Sequence, residues 1–226
     1  DYRFSEDLDF TSIDEKLLLT KELFSKVVDL VTKRTGISCH IVSFKDLIFK
    51  NAKTGYEAIV KYWGGDHQIN SAVPTPDRWQ TSIKIEIILY ELLIFPPVKK
   101  KLHHSYSDKL SENASKIPCY SIEEVMSEKI RALMQRKYTA PRDYYDIWYL
   151  SRNHKGLDNN KIVKAFHEKA KYKSIEFTGI EQLINPRHER ILIRNWENSL
   201  GHQIKKGELV DDKIVIPEVK KYFKNI

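Results

Sequence analysis

The chain has 226 residues, of which 41% are hydrophobic and 31% charged, and its formal net charge at pH 7 is +7. No apolar run approaches the ~20 residues that a membrane-spanning helix needs, and two cysteines are too few for a disulfide framework or a zinc cluster. A pI of about 9.1 favours a polyanionic partner such as nucleic acid or nucleotide phosphates, although a protein from a basic, lysine-rich proteome would have the same balance. We therefore expect a protein of the reducing cytoplasm with no membrane partner.

The first predicted element is a strand that runs to Phe10. Because side chains alternate along a strand, one face carries Phe4, Leu8 and Phe10, and the other carries Arg3, Ser5, Asp7 and Asp9. Asp7 and Asp9 are then about 7 Å apart along the backbone, a spacing from which two carboxylates can bind one divalent cation. A solvated edge strand, or an ion network with Arg3, would have the same pattern.

A helix and three more strands are predicted to follow. Ser12 or Asp14 is the candidate helix cap and Gly36 the candidate stop, and β-like runs occupy residues 38–49, 56–63 and 82–90. The last run is apolar on one face and carries Glu86 on the other. Glu86 would supply a third carboxylate if its strand pairs beside the first, or it would be an edge charge that guards against aggregation.

From residue 121 onward the pattern becomes helical. Ser121 and Glu124 have the spacing of a capping box, and Pro141 is typical of a first helical turn, which predicts a helix over 141–152. Further helices are predicted at 160–172, 187–200 and 217–223. Strands followed by helices indicate an α+β protein with domains at residues 1–118 and 119–226.

Lys129 lies in the middle of the apolar stripe of the helix that follows Ser121, and Arg136 continues that stripe. A cation on a core-facing stripe is costly unless it is paired, although a snorkelling stem is an alternative. Asp143 and Asp146, one turn apart on the next helix, are the candidate partners. Asp143 would also be favoured at a helix N-terminus by the dipole alone.

Taken in order, four short motifs resemble one known family across residues 3–150. They are the acidic segment that contains Asp7-Leu-Asp9, then Lys84-Ile-Glu86, then Lys129 with Arg136, then Arg142-Asp-Tyr-Tyr-Asp146. This order is similar to that of the AbiEii/AbiGii-type toxins, which are nucleotidyltransferases of the DNA polymerase β-like superfamily. The resemblance implies a mixed sheet with flanking helices, followed by a helical C-terminal half.

The resemblance also implies the reaction and the roles of residues. Such an enzyme transfers a nucleoside monophosphate from an NTP to an acceptor, in some relatives the 3′ end of tRNA, with Mg²⁺ in a two-metal site. A cognate antitoxin is the usual partner. The implied catalytic residues are Asp7, Asp9, Lys129 and Asp146, and the implied metal ligands are Asp7, Asp9 and Glu86. Nucleotide contacts would come from Arg3, Ser5, Lys129, Arg136 and Asp143, and acceptor contacts from Arg131 and Arg142.

One feature of the family pattern is missing from this sequence. The family carries a Gly-Gly or Gly-Ser turn just before the acidic strand, whereas Gly64 and Gly65 follow that strand. Because the chain begins with Asp1, we expect that a preceding segment has been omitted. Two alternatives stay open: a catalytically inactive module that binds RNA or a protein partner, and an enzyme that nucleotidylates a protein side chain.

Overall fold

The computed structural model describes residues 7–14, 16–64, 72–102 and 116–226. The chain divides into two compact units, one of which ends at Glu91 while the other comprises Leu92–Ile226. The two units separate after the last strand of the four-stranded sheet. The domain border predicted from the sequence, at 118–119, lies further on, just before the first helix of the second unit. That border stays a prediction.

The first unit is a mixed four-stranded sheet with one helix. Its elements are β1 (Asp7–Thr11), α1 (Lys21–Thr35), β2 (Ser38–Phe49), β3 (Ala52–Trp63), a 3₁₀ turn at Pro76–Arg78, and β4 (Ser82–Ile88). The strand order is β1-β4-β3-β2. β1 runs parallel to β4, and the other two pairings are antiparallel. The three predicted strand runs are confirmed, and β1 is confirmed over the described residues.

Alternation along the strands gives this sheet one apolar and one charged face. Ala58 on β3 and Ile85 on β4 are partners in the register, and both belong to the cluster that packs with Phe24 and Val28 of α1. The register continues to Leu8 on β1, so the apolar side chains share one face. The charged residues of β1 and β4 therefore lie on the opposite face.

The predicted start of α1 is wrong, whereas its end is confirmed. Gly36 is the C-cap with φ of 73°, and its N–H donates to the Thr32 carbonyl. The N-cap is Thr20, whose side chain accepts from the Leu23 N–H. Residues 17–19 are held instead by Tyr56, whose hydroxyl donates to the Leu17 carbonyl at 2.9 Å and accepts from the Leu19 N–H at 2.7 Å.

The second unit contains a short strand pair and five α-helices in its described residues. They are β5 (Val98–Lys101), β6 (Lys116–Cys119), α2 (Ile122–Gln135), α3 (Pro141–Asn153), α4 (Asn159–Tyr172), a 3₁₀ turn at Ile180–Gln182, α5 (Pro186–Leu200) and α6 (Asp212–Phe223). All five helices were predicted, and the α+β class is confirmed. The β5–β6 pair was not predicted because β5 is a run of lysines without strand alternation.

Two helix starts depend on capping. Ser121 caps α2 by accepting from the Glu124 N–H, as predicted, but the Glu124 carboxylate accepts from the N–H groups of Ile94 and Phe95. The capping box is therefore only half formed. α6 begins at Asp212, after the N-cap Asp211, and contains Pro217 inside the helix rather than in its first turn.

The helices enclose a large core that includes the fully buried Met126, Ile130, Ile147, Phe166 and Leu192. Charged groups are buried in the same unit: Glu124, Asp146 and Lys169 have exposures of 0%. No helix among the described residues is long and apolar enough to span a bilayer.

Candidate active site

The acidic residues of the sheet unit meet across two neighbouring strands. Asp9 of β1 is the register partner of Glu86 of β4, and Asp7 is the partner of Lys84. Register partners on adjacent strands project from the same face, about 5 Å apart. The strand that carries Glu86 therefore pairs beside the first strand, as a third carboxylate at this site requires.

Lys84 moderates the negative charge of this face. Its Nζ atom lies 2.7 Å from Oε1 of Glu86, and their side chains are 41% and 27% exposed. This hydrogen bond raises the pKa of Lys84, and the charges of Asp7 and Glu57 act in the same direction. The carboxylates of β1 and β4 therefore share their face with one strongly held cation.

Sequence reasoning missed Glu57. It lies on β3 as the register partner of Glu86, and its carboxylate is 2.8 Å from the Lys45 ammonium. Asp9, Glu86 and Glu57 thus form a row across three strands. Only the strand register brings them together, and the sequence carries no direct signal of that register.

The donor chemistry of this row fits a hard divalent cation. Carboxylate oxygens are the ligands that Mg²⁺ prefers, usually with one or two carboxylates plus water and substrate phosphates. Asp9 and Glu86 provide two such groups on adjacent strands. Within the described residues, no three His, Cys, Asp or Glu side chains converge as a metal-binding group. The row therefore offers two adjacent carboxylates of the donor type that Mg²⁺ takes.

In the helical unit, Lys129 of α2 pairs with Asp146 of α3. The Lys129 Nζ atom lies 2.5 Å from Oδ2 of Asp146, whose side chain has 0% exposure, while that of Lys129 is 21% exposed. Of the two partners considered for Lys129, Asp146 is the one in contact. Asp146 thus fixes the position of an ammonium group that still reaches solvent.

A second ion pair joins the C-cap residue of α2, Arg136, to the first turn of α3. Arg136 forms an ion pair with Asp143, which is 3% exposed. Burial raises the pKa of Asp143, while the positive charges of Arg136 and Lys129 oppose that rise. The side chain of Asp143 is therefore paired across the two helices, in addition to its place in the first turn of α3.

The remaining predicted residues have different surroundings. Arg131 is 6% exposed and forms an ion pair with Glu128, so its guanidinium is already occupied. Arg142 is half-buried at the start of α3 and lines a surface cavity. Arg3 and Ser5 lie outside the described residues. The roles assigned to these four residues stay predictions.

Two solved structures share the fold. One is JHP933 from Helicobacter pylori, at 15% identity and TM-score 0.50, with 98% of this chain and 75% of that chain covered. The other is MenT4, a nucleotidyltransferase toxin from Mycobacterium tuberculosis H37Rv, at 17% identity and TM-score 0.55, with 99% and 68% covered. No curated protein matches the sequence. The fold is thus one that a nucleotidyltransferase toxin adopts.

The model of the nucleotidyl transferase AbiEii toxin family, of type IV toxin–antitoxin systems, matches residues 1–225. The chain belongs to this family, and the resemblance drawn from the four motifs is confirmed. It is a nucleotidyltransferase toxin, with an NTP as substrate and an antitoxin as partner.

Proposed function

We propose that this chain transfers a nucleoside monophosphate from an NTP to the end of an RNA acceptor, with tRNA as the acceptor to test first. In this reaction an acceptor hydroxyl attacks the α-phosphorus of the NTP and loses its proton. The bond between the α-phosphorus and the bridging oxygen breaks, and pyrophosphate leaves. The observation that carries the proposal is the adjacency of Asp9 and Glu86 on one face of the sheet.

The acids of β1 and β4 would hold Mg²⁺. Asp7 and Asp9 lie two residues apart on one strand, and Glu86 stands beside Asp9 on the next. Bound there, the metal would polarise phosphate oxygens and lower the pKa of the attacking hydroxyl. Glu86 would be one of the residues that hold the cation, and Lys84, which is 2.7 Å from Glu86 on the same face, would be placed to contact a phosphate oxygen.

Lys129 would contact the triphosphate, and Asp146 would position it. A buried carboxylate at 2.5 Å holds the ammonium in place and restricts its rotamers. Arg136, paired with Asp143 on the same two helices, would add a second cation toward the nucleotide. Because both acids are buried, removal of either cation would leave an unpaired charge behind.

The test is a transfer assay with protein that carries its native N-terminus. The protein is incubated with each α-³²P-labelled NTP, Mg²⁺ and total tRNA, beside the Asp9→Ala variant. Asp29→Ala is the matched control, because Asp29 is an exposed acid on α1 of the same unit. We expect label in the tRNA with wild type and Asp29→Ala and none with Asp9→Ala. Equal labelling by Asp9→Ala would refute the assigned role.

Metal binding has its own readout. Addition of Mg²⁺ to wild-type protein is expected to raise Tm, because a ligand that binds the folded state stabilises it. Asp9→Ala should lose that shift, and Asp29→Ala should keep it. The labelled fraction identifies the acceptor class. Label that survives RNase and is released by protease would show that the acceptor is a protein and not RNA.

A further inference from the structure

Two cavities lie side by side on the helical unit, between the α2–α3 loop and α5. Their volumes are about 430 and 500 Å³. Both are lined by Tyr138, Thr139 and Ala140 of the loop and by Asn195 of α5. We call the two cavities together the α5 groove. The family resemblance assigns Arg136 to nucleotide contacts and Arg142 to acceptor contacts, and both line these cavities, but it gives no role to the residues of α5.

The groove is cationic, and four of its cations form no ion pair within the described residues. Its lining includes Lys137, Arg142, Arg187 and Arg194. None of the four forms an ion pair with any described residue, and no described Asp or Glu lines either cavity. Elsewhere in this unit Lys129 and Lys169, for example, are each held by a carboxylate. A lining of unpaired cations without acids selects a ligand that carries several negative charges.

Gln203 adds a requirement for a hydrogen-bond donor. It is 5% exposed and lines the first cavity, and its Oε1 atom is buried without a hydrogen-bond partner in the described residues. An unpartnered buried acceptor destabilises the protein unless a ligand supplies a donor. Phosphate oxygens are acceptors, whereas a ribose hydroxyl is a donor. The ligand therefore combines anionic groups with hydroxyl groups.

Tyr138 gives the groove an exposed aromatic surface. Its side chain is 63% exposed, and the Arg136 guanidinium lies 5.8 Å from the ring centroid. Exposed aromatic rings beside cations are the platforms on which single-stranded bases stack. A polynucleotide carries phosphate, hydroxyl and planar base groups in every repeat. An acidic peptide carries negative charges but does not repeat hydroxyl and planar groups regularly, so a polynucleotide fits the groove better.

We propose that the α5 groove binds a single-stranded RNA segment of the acceptor. Phosphates contact Arg187 and Arg194, a 2′-hydroxyl donates to Gln203, and a base stacks on Tyr138. This inference rests on the proposed function for the choice of RNA as the acceptor. The groove holds the strand, and the chemistry belongs to the residues described above.

Binding is tested with the full chain and a fluorescein-labelled 12-nucleotide single-stranded RNA, in a series of salt concentrations. Arg187→Ala with Arg194→Ala removes two exposed cations seven residues apart on α5. Each lost phosphate contact lowers the slope of log affinity against log salt by about 0.7. We expect a slope smaller by about 1.4 and an affinity at least about tenfold weaker at low salt.

Lys164→Ala with Lys171→Ala is the matched control. These two exposed lysines also lie seven residues apart on one helix, α4, and they line neither cavity. The control removes the same net charge and is expected to keep the wild-type slope. Equal weakening by both double variants would overturn the proposal, because net charge alone would then explain the binding.

Gln203→Met tests the hydroxyl contact separately. Wild type is expected to bind the RNA more tightly than the DNA strand of the same sequence, and the variant is expected to bind both alike. Since Met replaces an unpartnered acceptor by an apolar group of similar length, Tm should not fall. An unchanged preference for RNA would overturn the role of Gln203.

The kinetic assay separates this inference from the proposed function. With Arg187→Ala and Arg194→Ala, KM for the RNA should rise while KM for the NTP and kcat stay unchanged. If wild type labels no RNA but the double variant loses RNA binding, the proposed function is refuted and the RNA-binding role of the α5 groove is supported. If labelling is normal and the double variant binds RNA as wild type does, the groove is refuted.

Discussion

The two units of this protein differ in where they keep their charged residues. In the sheet unit, Asp9 is exposed and the Lys84–Glu86 pair is partly exposed, on the face opposite the packed helix. In the helical unit, Glu124 and Lys169 are both fully buried. The charges of the sheet unit therefore stand outside its core, whereas some charges of the helical unit are part of the core.

Because of this difference, charged residues of the sheet unit can serve function with little effect on stability. Buried charged residues of the helical unit affect stability as well. An exposed ion pair contributes about 0–1 kcal/mol to the free energy of unfolding. Breaking a buried pair costs about 3–5 kcal/mol, because one charge is left without its partner. Substitutions in the acidic row should thus affect chemistry alone, and substitutions at buried charges should affect folding as well.

The largest effect on stability is expected for Lys169→Met. The Lys169 Nζ atom lies 2.6 Å from Oε1 of Glu124 and 2.5 Å from the Leu92 carbonyl oxygen. Among the described residues, the variant leaves buried Glu124 with the Ile94 and Phe95 N–H groups as the remaining partners of its carboxylate. We expect the free energy of unfolding, measured by urea denaturation, to fall by about 3–5 kcal/mol.

Lys84→Met is the matched control in the sheet unit. It removes a lysine that bonds one carboxylate at 2.7 Å but is 41% exposed, and its cost should stay below about 1 kcal/mol. If the two variants lost similar amounts of stability, the contrast between the units would be wrong.

Asp9→Asn is expected to separate activity from stability. Removal of one charged oxygen from the acidic row should lower kcat/KM for transfer at least about 100-fold, or about 2.7 kcal/mol of transition-state stabilisation. Because Asp9 is exposed, the free energy of unfolding should change by no more than about 0.5 kcal/mol. A large loss of stability would show that this acid supports the fold.

Tyr56→Phe probes the core of the sheet unit, where a smaller effect is expected. Tyr56 is 1% exposed, and its hydroxyl bonds the backbone of both Leu17 and Leu19. The variant leaves those two backbone groups without this partner and should lower the free energy of unfolding by about 1–2 kcal/mol. Tyr62→Phe on the same strand, where the side chain is only partly buried, should cost less. Equal losses would argue that the hydroxyl does not anchor the segment before α1.

Periodicity explains which parts of the site could be predicted from the sequence. Strand alternation put Asp7 and Asp9 on the charged face, and the helical repeat put Lys129 on an apolar stripe, where it needed a buried partner. Asp146 is that partner. These predictions needed only the geometry of one element and the cost of burying a charge.

Predictions failed where a distant residue decides the structure. Glu57 joins the acidic row only through the β3–β4 register, and the start of α1 depends on Tyr56, which bonds Leu17 39 residues earlier in the chain. The α5 groove likewise combines the α2–α3 loop with a helix about 50 residues further on. None of these contacts leaves a periodic signal in the sequence.

The smallest effect is expected from His188, which is partly buried on α5 and lines the α5 groove. Burial lowers its pKa from the ordinary value of 6.5, and Arg187 acts in the same direction, while the Leu183 backbone and Glu181 oppose it. Between the folded pKa and 6.5 the unfolded chain binds more protons than the folded protein, so stability falls as the pH drops below about 6.5. In His188→Gln this contribution disappears, and the difference in Tm between pH 7.5 and pH 5.5 should shrink. If the variant keeps the wild-type difference, groups other than His188 cause the acid sensitivity.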